Sequence, residues 1–281
     1  MNDSRNTKER CRSMKRIESY ENATDKGIFL PGREVSNIYW SVDEIRRMAA
    51  RKSLFLEEIP AGKLWLYCTK NRNQVFFQID KSGINNIQAD DLQLHNCVSE
   101  IIFSENQKEK KEEEREVLRQ LGFAWNGNAL LMACTKEDSV CCPDYKQIQC
   151  RKAIVEDFDF IHELNEACFD RLTDAIPDRA ELLEDINNGR ITVIGNERGK
   201  ITGSVLVQKY NRRRLIRHLA VMPASRNQGF GTALVKAAVK DMQQGERSML
   251  WVREKNEAAI NMYKRSGFKY QGRQMEIWVK K

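Results

Sequence analysis

His218-Leu-Ala-Val-Met-Pro-Ala-Ser-Arg-Asn-Gln-Gly-Phe-Gly-Thr-Ala-Leu-Val235 decides the fold of this 281-residue chain. An apolar run stops at Pro223, a polar turn with two glycines follows, and an amphipathic helical pattern begins. A helix start leaves its first four N–H groups unpaired and carries partial positive charge. Gly229 and Gly231 have no side chain to block close backbone approach, and Arg226 adds a cation. Such a turn is an anion cradle suited to a pyrophosphate, although a two-glycine turn is also an ordinary strand-to-helix connection.

The flanking segments alternate between strand and helix patterns. Strands are predicted at Ile148–Ile154, Ile191–Gly195, Ile201–Gln208, Leu215–Met222, Ser248–Val252 and Gln274–Val279. Helices are predicted over Phe158–Cys168, Arg179–Asn187, Gly229–Gln243 and Glu257–Arg265, with Asn196–Gly199 as a hairpin turn.

Arg226-x-x-Gly229-x-Gly231, preceded by Leu219-Ala-Val221, resembles the acyl-CoA loop of the GNAT N-acyltransferase superfamily. Asn256-Glu-Ala-Ala-Ile-Asn-Met-Tyr263-Lys-Arg-Ser-Gly267-Phe268 resembles that superfamily's second signature. The resemblance implies an α/β fold, with a mixed and mostly antiparallel sheet flanked by helices. It implies that the backbone of Leu219, Ala220 and Val221 bonds the pantetheine arm of acetyl-CoA. It implies that Arg226, Asn227, Gln228, Gly229, Phe230, Gly231 and Thr232 wrap the pyrophosphate, and that Asn256 lies along the coenzyme. Leu219 and Val221 also suit a core, and Asn256 also suits a helix N-cap.

The implied activity is transfer of an acetyl group from acetyl-CoA, as cosubstrate, to a primary amine by direct attack. Tyr263 resembles the family's general acid, which protonates the leaving thiolate; it also shares a helix face with Ile260 and Ala259 and suits a core. The base departs from the family pattern. The positions four and six residues before Val221 are Arg217 and Leu215, and neither accepts a proton at neutral pH. His218 lies one residue off, and strand alternation turns it to the other face unless a bulge intervenes. Water or Glu254 is the other candidate. The missing base keeps open a non-catalytic acyl-CoA sensor or scaffold.

Charge separates the halves. Residues 1–147 hold 23 basic and 23 acidic residues, so the whole formal net charge of +7 lies in the remainder. That suits a polyphosphorylated coenzyme; no helix-turn-helix, RNP-type motif or basic-aromatic platform points to nucleic acid. Arg212, Arg213, Arg214 and Arg217 suit either an acidic substrate, the coenzyme 3′-phosphate or a solvated hairpin end. No apolar run reaches the ~18 residues of a membrane helix, and the eight cysteines lack metal spacing, so reduced thiols, no metal and a cytoplasmic setting are expected.

The first half echoes the second. Leu121-Gly122-Phe123-Ala-Trp-Asn-Gly127 aligns without gaps on Ser266-Gly267-Phe268-Lys-Tyr-Gln-Gly272, an offset of 145. A helix is predicted over Ser41–Arg51 and over Glu112–Leu121, and strands over Leu64–Cys68, Val75–Ile79 and Val98–Phe103. The chain from Asp80 to Val98 is too short for a strand, a glycine loop and a long helix, and Leu118 stands at the tyrosine position. The expected organisation is a polar tail (1–27), a smaller degenerate α+β lobe of GNAT type (28–140) and an acetyltransferase domain (148–281), cut within Lys136–Gln147. A tandem of this kind mimics a dimer in one chain, which is compatible with a monomer.

Overall fold

The computed structural model describes residues 14–28, 34–69, 72–93, 95–138, 149–195 and 200–281. The expected cut between lobes and the turn at 196–199 fall largely outside them. The strands are β1 (Lys15–Arg16), β2 (Glu34–Ser36), β3 (Leu54–Ile59), β4 (Gly62–Cys68), β5 (Asn73–Asp80), β6 (Cys97–Ser104) and β7 (Ala124–Thr135). They continue with β8 (Gln149–Lys152), β9 (Ile191–Gly195), β10 (Ile201–Tyr210), β11 (Arg213–Ile216), β12 (Ala220–Val221), β13 (Arg247–Arg253) and β14 (Lys269–Lys280). The helices are α1 (Tyr20–Asp25), α2 (Val42–Ala50), α3 (Glu112–Gln120), α4 (Phe158–Cys168), α5 (Arg179–Asn187), α6 (Phe230–Val239) and α7 (Glu257–Arg265).

The chain divides into two compact units, Met1–Gly127 with Met275–Lys281, and Asn128–Gln274. This differs from the spans expected from sequence at two places. Residues after Gly127 in β7 belong to the second unit, and residues from Met275 in β14 belong to the first. Both strands are 12 residues long and start 145 positions apart, as the repeat requires.

The preceding turns repeat as well. Phe123 N–H donates to Leu118 O at 2.8 Å, and Phe268 N–H donates to Tyr263 O at 3.0 Å. Gly122 and Gly267 carry φ of +82° and +90°, the left-handed geometry that closes a helix at low cost only with glycine. The matched segments are therefore one helix–glycine–strand module used twice.

In the first unit, the strand order is β1-β3-β4-β5-β6, with β2 added to β5. Alternation sorts the core: Leu64, Leu66, Val75 and Phe77 join α3 residues Val117 and Leu118, while Trp65, Phe76, Leu54 and Leu56 join Ile45 and Met48 of α2. Ser41 and Glu44 form a reciprocal capping box that starts α2. Two 3-10 turns, Lys81–Asn86 and Ala89–Asp91, replace any glycine loop and long helix, as the short spacing requires.

A feature not expected from sequence lies between β5 and β6. These parallel strands pair only at Asn73↔Cys97 and Gln74↔Val98. Beyond that, the Asn37 side chain spans them, its Oδ1 accepting from Phe77 N–H at 2.8 Å and its Nδ2 donating to Glu100 O at 3.0 Å. Beside it, Tyr39, Arg72, Gln74 and Glu100 form a polar network, in which Gln74 Nε2 lies 3.0 Å from Glu100 Oε2.

In the second unit, the order is β7-β13-β11-β10-β9-β8, with β12 also on β10. One face packs α6 on Ile194, Val205, Ile216, Leu250 and Val252. The other packs α4 and α5 on Ile191, Val193 and Leu206. The boundaries of α4, α5, β9 and α7 match the sequence reading, whereas α6 ends at Val239 rather than Gln243.

Candidate active site

The predicted strand Leu215–Met222 is in fact two strands, and the break makes the site. β11 pairs with β13 in parallel, and the pairing stops at Leu215↔Met249. β13 pairs with β7 along its whole length, and from Leu250 onward with β7 alone, while β12 pairs only with β10, so the backbones of β12 and β13 part. At the break, Leu219 N–H turns back to Arg217 O at 2.8 Å. This bulge follows the last residue that β11 contributes to the sheet.

Gly203 is the residue that sequence reasoning missed. A Cβ there would sit 2.7 Å from the Ala220 carbonyl oxygen, 3.1 Å from Ile194 Cγ2 and 3.2 Å from Leu234 Cδ1. Its absence lets β12 lie against β10 beneath α6. The signal was present: an isolated glycine inside a strand pattern marks close backbone approach.

Beyond β12, the chain passes through a 3-10 turn, Pro223–Ser225, into the loop. Asn227 and Gly229 both have positive φ, +62° and +85°, which coils the loop tightly before α6. Among the described residues, the N–H groups of Phe230, Gly231 and Thr232 donate to no carbonyl and to no capping side chain, and the first turn carries no acidic residue. The first helical bond is Ala233 N–H to Gly229 O, at 3.0 Å. This is an uncapped helix start of the kind that binds anions.

Individual residues take more specific roles than their pattern implied. The exposed Arg226 folds back, with Nε 3.3 Å from Val221 O and Nη2 3.7 Å from Cys168 Sγ. Gln228 Nε2 donates to Ala224 O at 3.2 Å, bracing the loop from within. Phe230 and Ala220 are buried, and Leu219 and Val221 lie at the core's edge. Gly231 is also a packing residue, since a Cβ would meet Met262 Sδ of α7 at 2.8 Å. Asn256 caps α7 by accepting from Ala259 N–H at 3.1 Å, which leaves its amide N–H groups available.

Tyr263 lies in α7, is 7% exposed, and packs on Phe268 with ring centroids 5.7 Å apart. Burial alone raises its pKa well above the usual phenol value. Tyr263 is thus part of the core, and it holds its proton firmly.

His218 does not turn away as plain alternation required. The bulge places it against Phe169, and its Nε2 lies 2.7 Å from the Asp174 carbonyl oxygen. Donation to that carbonyl puts the proton on Nε2. Arg214, by contrast, is structural: it is buried, and its Nε donates to Glu246 Oε2 at 2.8 Å. Glu254 accepts from Asn128 Nδ2 at 3.1 Å. Among the described residues no cluster of His, Cys, Asp and Glu could hold a metal, and no helix is long and apolar enough to cross a membrane.

Comparison with known proteins agrees with this geometry. Residues 158–268 match the family model "Acetyltransferase (GNAT) family". Comparison with curated proteins finds no match to the sequence. Among solved structures, a GCN5-related N-acetyltransferase from Sphaerobacter thermophilus is 15% identical with a TM-score of 0.61, covering 89% of this chain and 96% of that one. An acetyltransferase from the GNAT family of Colwellia psychrerythraea is 12% identical with a TM-score of 0.54, covering 95% and 99%. A GCN5-related N-acetyltransferase from Kribbella flavida is 13% identical with a TM-score of 0.54, covering 83% and 94%. At these identities the likeness is one of fold, and it extends over both halves of the chain.

Proposed function

We propose that the chain, whose residues 158–268 match the GNAT acetyltransferase family model, transfers an acetyl group from acetyl-CoA to a primary amine. The observation that carries the reading is the parting of β12 from β13 directly before an uncapped helix start. A long ligand with an anionic middle fits that sequence of features. On the edge of β12 away from β10, the backbone groups of Leu219, Ala220 and Val221 that are not already bonded within the protein reach its pantetheine arm. The N–H groups of Asn227, Gln228, Gly229, Phe230, Gly231 and Thr232 hold its pyrophosphate, the Arg226 N–H being bonded to Pro223 O, and Asn256 lies along it.

The amine attacks the thioester carbonyl carbon, and the C–S bond breaks as the amide forms. Tyr263 gives its proton to the departing thiolate and recovers one from the ammonium nitrogen through water, so the products are an N-acetyl amine and free CoA. Burial raises the phenol and so weakens it as an acid; delivery of its proton to the thiolate requires the same dry surroundings to raise the leaving thiol too. With Arg217 where a base is expected, the acceptor enters as its neutral amine and loses its proton to water. Arg217 and the burial of Tyr263 equally favour a second reading, an acyl-CoA sensor without turnover. Steady release of CoA thiol with an amine panel selects the enzyme; tight acetyl-CoA binding with no release selects the sensor. Gly229→Glu tests the cradle itself: a carboxylate facing the pyrophosphate, on a residue forced to positive φ, should abolish acetyl-CoA binding in a calorimetric titration. Unchanged affinity would remove the loop assignment.

A further inference from the structure

The α6 face of the second unit's sheet is a closed core, whereas on the opposite face of β11 and β13 the apolar side chains are only half-buried. Ile216, Leu250 and Val252 point into the α6 core, so alternation sends Arg213 and Leu215 of β11, Arg217 directly after it, and Arg247, Met249 and Trp251 of β13, to the other face. Leu215, Met249 and Trp251 are half-buried and join neither core cluster of this unit. They form an apolar floor. Arg213, Arg217 and Arg247 stand exposed on it, and none of the three makes an ion pair among the described residues.

Two of these arginines are direct neighbours, since Arg213 and Arg247 are register partners in the parallel pair. Like charges side by side on adjoining strands cost stability. The adjacent Arg214, on the other face, has Glu246 against it. So the sequence supplies a counter-charge where the arginine is structural, and none on the apolar floor. Arg217 is the last residue before the bulge, at the point where β12 and β13 begin to part. It therefore stands beside the place where the proposed thioester lies.

We infer that this face receives the acceptor, and that the acceptor is an amine that also bears a carboxylate, which Arg217 binds while its apolar body rests on Leu215, Met249 and Trp251. This deepens the acetyl-transfer reading and rests on it. Arg213 and Arg247 raise the local concentration of anions over the same face. A guanidinium suits the task because it offers a planar fork to a carboxylate and stays charged throughout the working pH range. The assignment also gives a role to a position that carries no base: it holds the acceptor rather than deprotonating it.

The test compares α-, β- and γ-amino acids with their carboxamides as acceptors for the full chain and acetyl-CoA. Neutralising the carboxylate makes the amine less basic and more available, so chemistry alone favours the amide. The expected result is a kcat/KM at least about 10-fold higher for a carboxylate than for its amide, falling as ionic strength rises. Arg217→Gln should raise KM for the carboxylate by about 10- to 100-fold, the worth of a charged hydrogen bond, and that for the amide by at least about 10-fold less. Arg217→Lys should restore part of the preference. A wild-type preference for amides, or an Arg217→Gln loss shared equally by acid and amide, would overturn the inference. If no amine turns over, the acetyl-transfer reading fails. The face is then judged by saturation-transfer NMR of the same amino acids on the CoA-loaded chain. Binding abolished by Arg217→Gln upholds the face, and no binding to the wild type rejects it.

Discussion

Replacing Gly203 with alanine tests whether the splayed strand is held in place by close backbone packing. The added Cβ would lie 2.7 Å from Ala220 O, 3.1 Å from Ile194 Cγ2 and 3.2 Å from Leu234 Cδ1. A carbon and a carbonyl oxygen need about 3.2 Å, so β12 or β10 must shift by about 0.5 Å, and the two apolar contacts limit escape on the other side. Overpacking of this kind costs about 1–3 kcal/mol. The atom displaced is a backbone atom of the strand that is proposed to bond pantetheine, so acetyl-CoA affinity should fall by about 10-fold as well, one lost hydrogen bond's worth. Urea unfolding followed by circular dichroism reads the first effect, and calorimetric titration reads the second. Gly189→Ala provides the control. Its φ is +62°, and nothing lies within 4 Å of the added Cβ. It should cost about 1 kcal/mol of stability through backbone strain alone and leave coenzyme affinity unchanged. Wild-type midpoint and affinity for Gly203→Ala would refute the packing account. So would equal affinity losses in the two variants.

Tyr263→Phe should lower kcat by about 10²-fold while acetyl-CoA affinity is kept; a wild-type rate would leave Tyr263 a core residue only. Because burial raises the phenol's pKa, its stabilising contribution is complete below the unfolded value of about 10 and is lost as pH rises above it. Tyr263→Phe should therefore flatten part of the stability loss above about pH 10 in pH-dependent denaturation, and an unaltered slope would contradict the burial. Asn37 occupies, in the first unit, the gap between parallel strands that β12 and β13 leave open in the second. Calorimetry should accordingly find one acetyl-CoA per chain, and Asn37→Ala should cost about 1–3 kcal/mol by stranding Phe77 N–H and Glu100 O; a stoichiometry of two would refute the comparison. Residues 148–281 expressed alone lack the β7 residues that pair with β13 from Arg247 to Arg253. That fragment should be insoluble or molten, and a fragment as stable as the whole chain would refute the unit boundaries.

Much of the proposed coenzyme loop could be read directly from the sequence, because its chemistry is local. A strand, a proline stop, two glycines and an amphipathic run specify a helix start with exposed N–H groups whatever surrounds them. The helix–glycine–strand repeat is local in the same way: an αL closure needs glycine at Gly122 and Gly267, and the 12-residue strands follow from it. The boundaries of α5 and α7 were equally accessible, since Asp178 and Asn256 cap them through side chains three residues or fewer away.

Tertiary structure decided what depends on residues distant in sequence. Whether Leu215–Met222 is one strand or two is set by which neighbour each part pairs with, and that neighbour, β13, lies some thirty residues on. His218 turned to an unexpected side because a bulge reverses alternation, and one inserted residue is invisible to a period-two pattern. Arg214 and Arg217 belong to one run of similar residues, yet pairing with Glu246 makes the first structural, while the second stands exposed where the sheet opens. The exchange of the ends of β7 and β14 between compact units is of the same kind. A strand's length is written in its own residues, but the sheet it completes is chosen by the edge that remains unpaired.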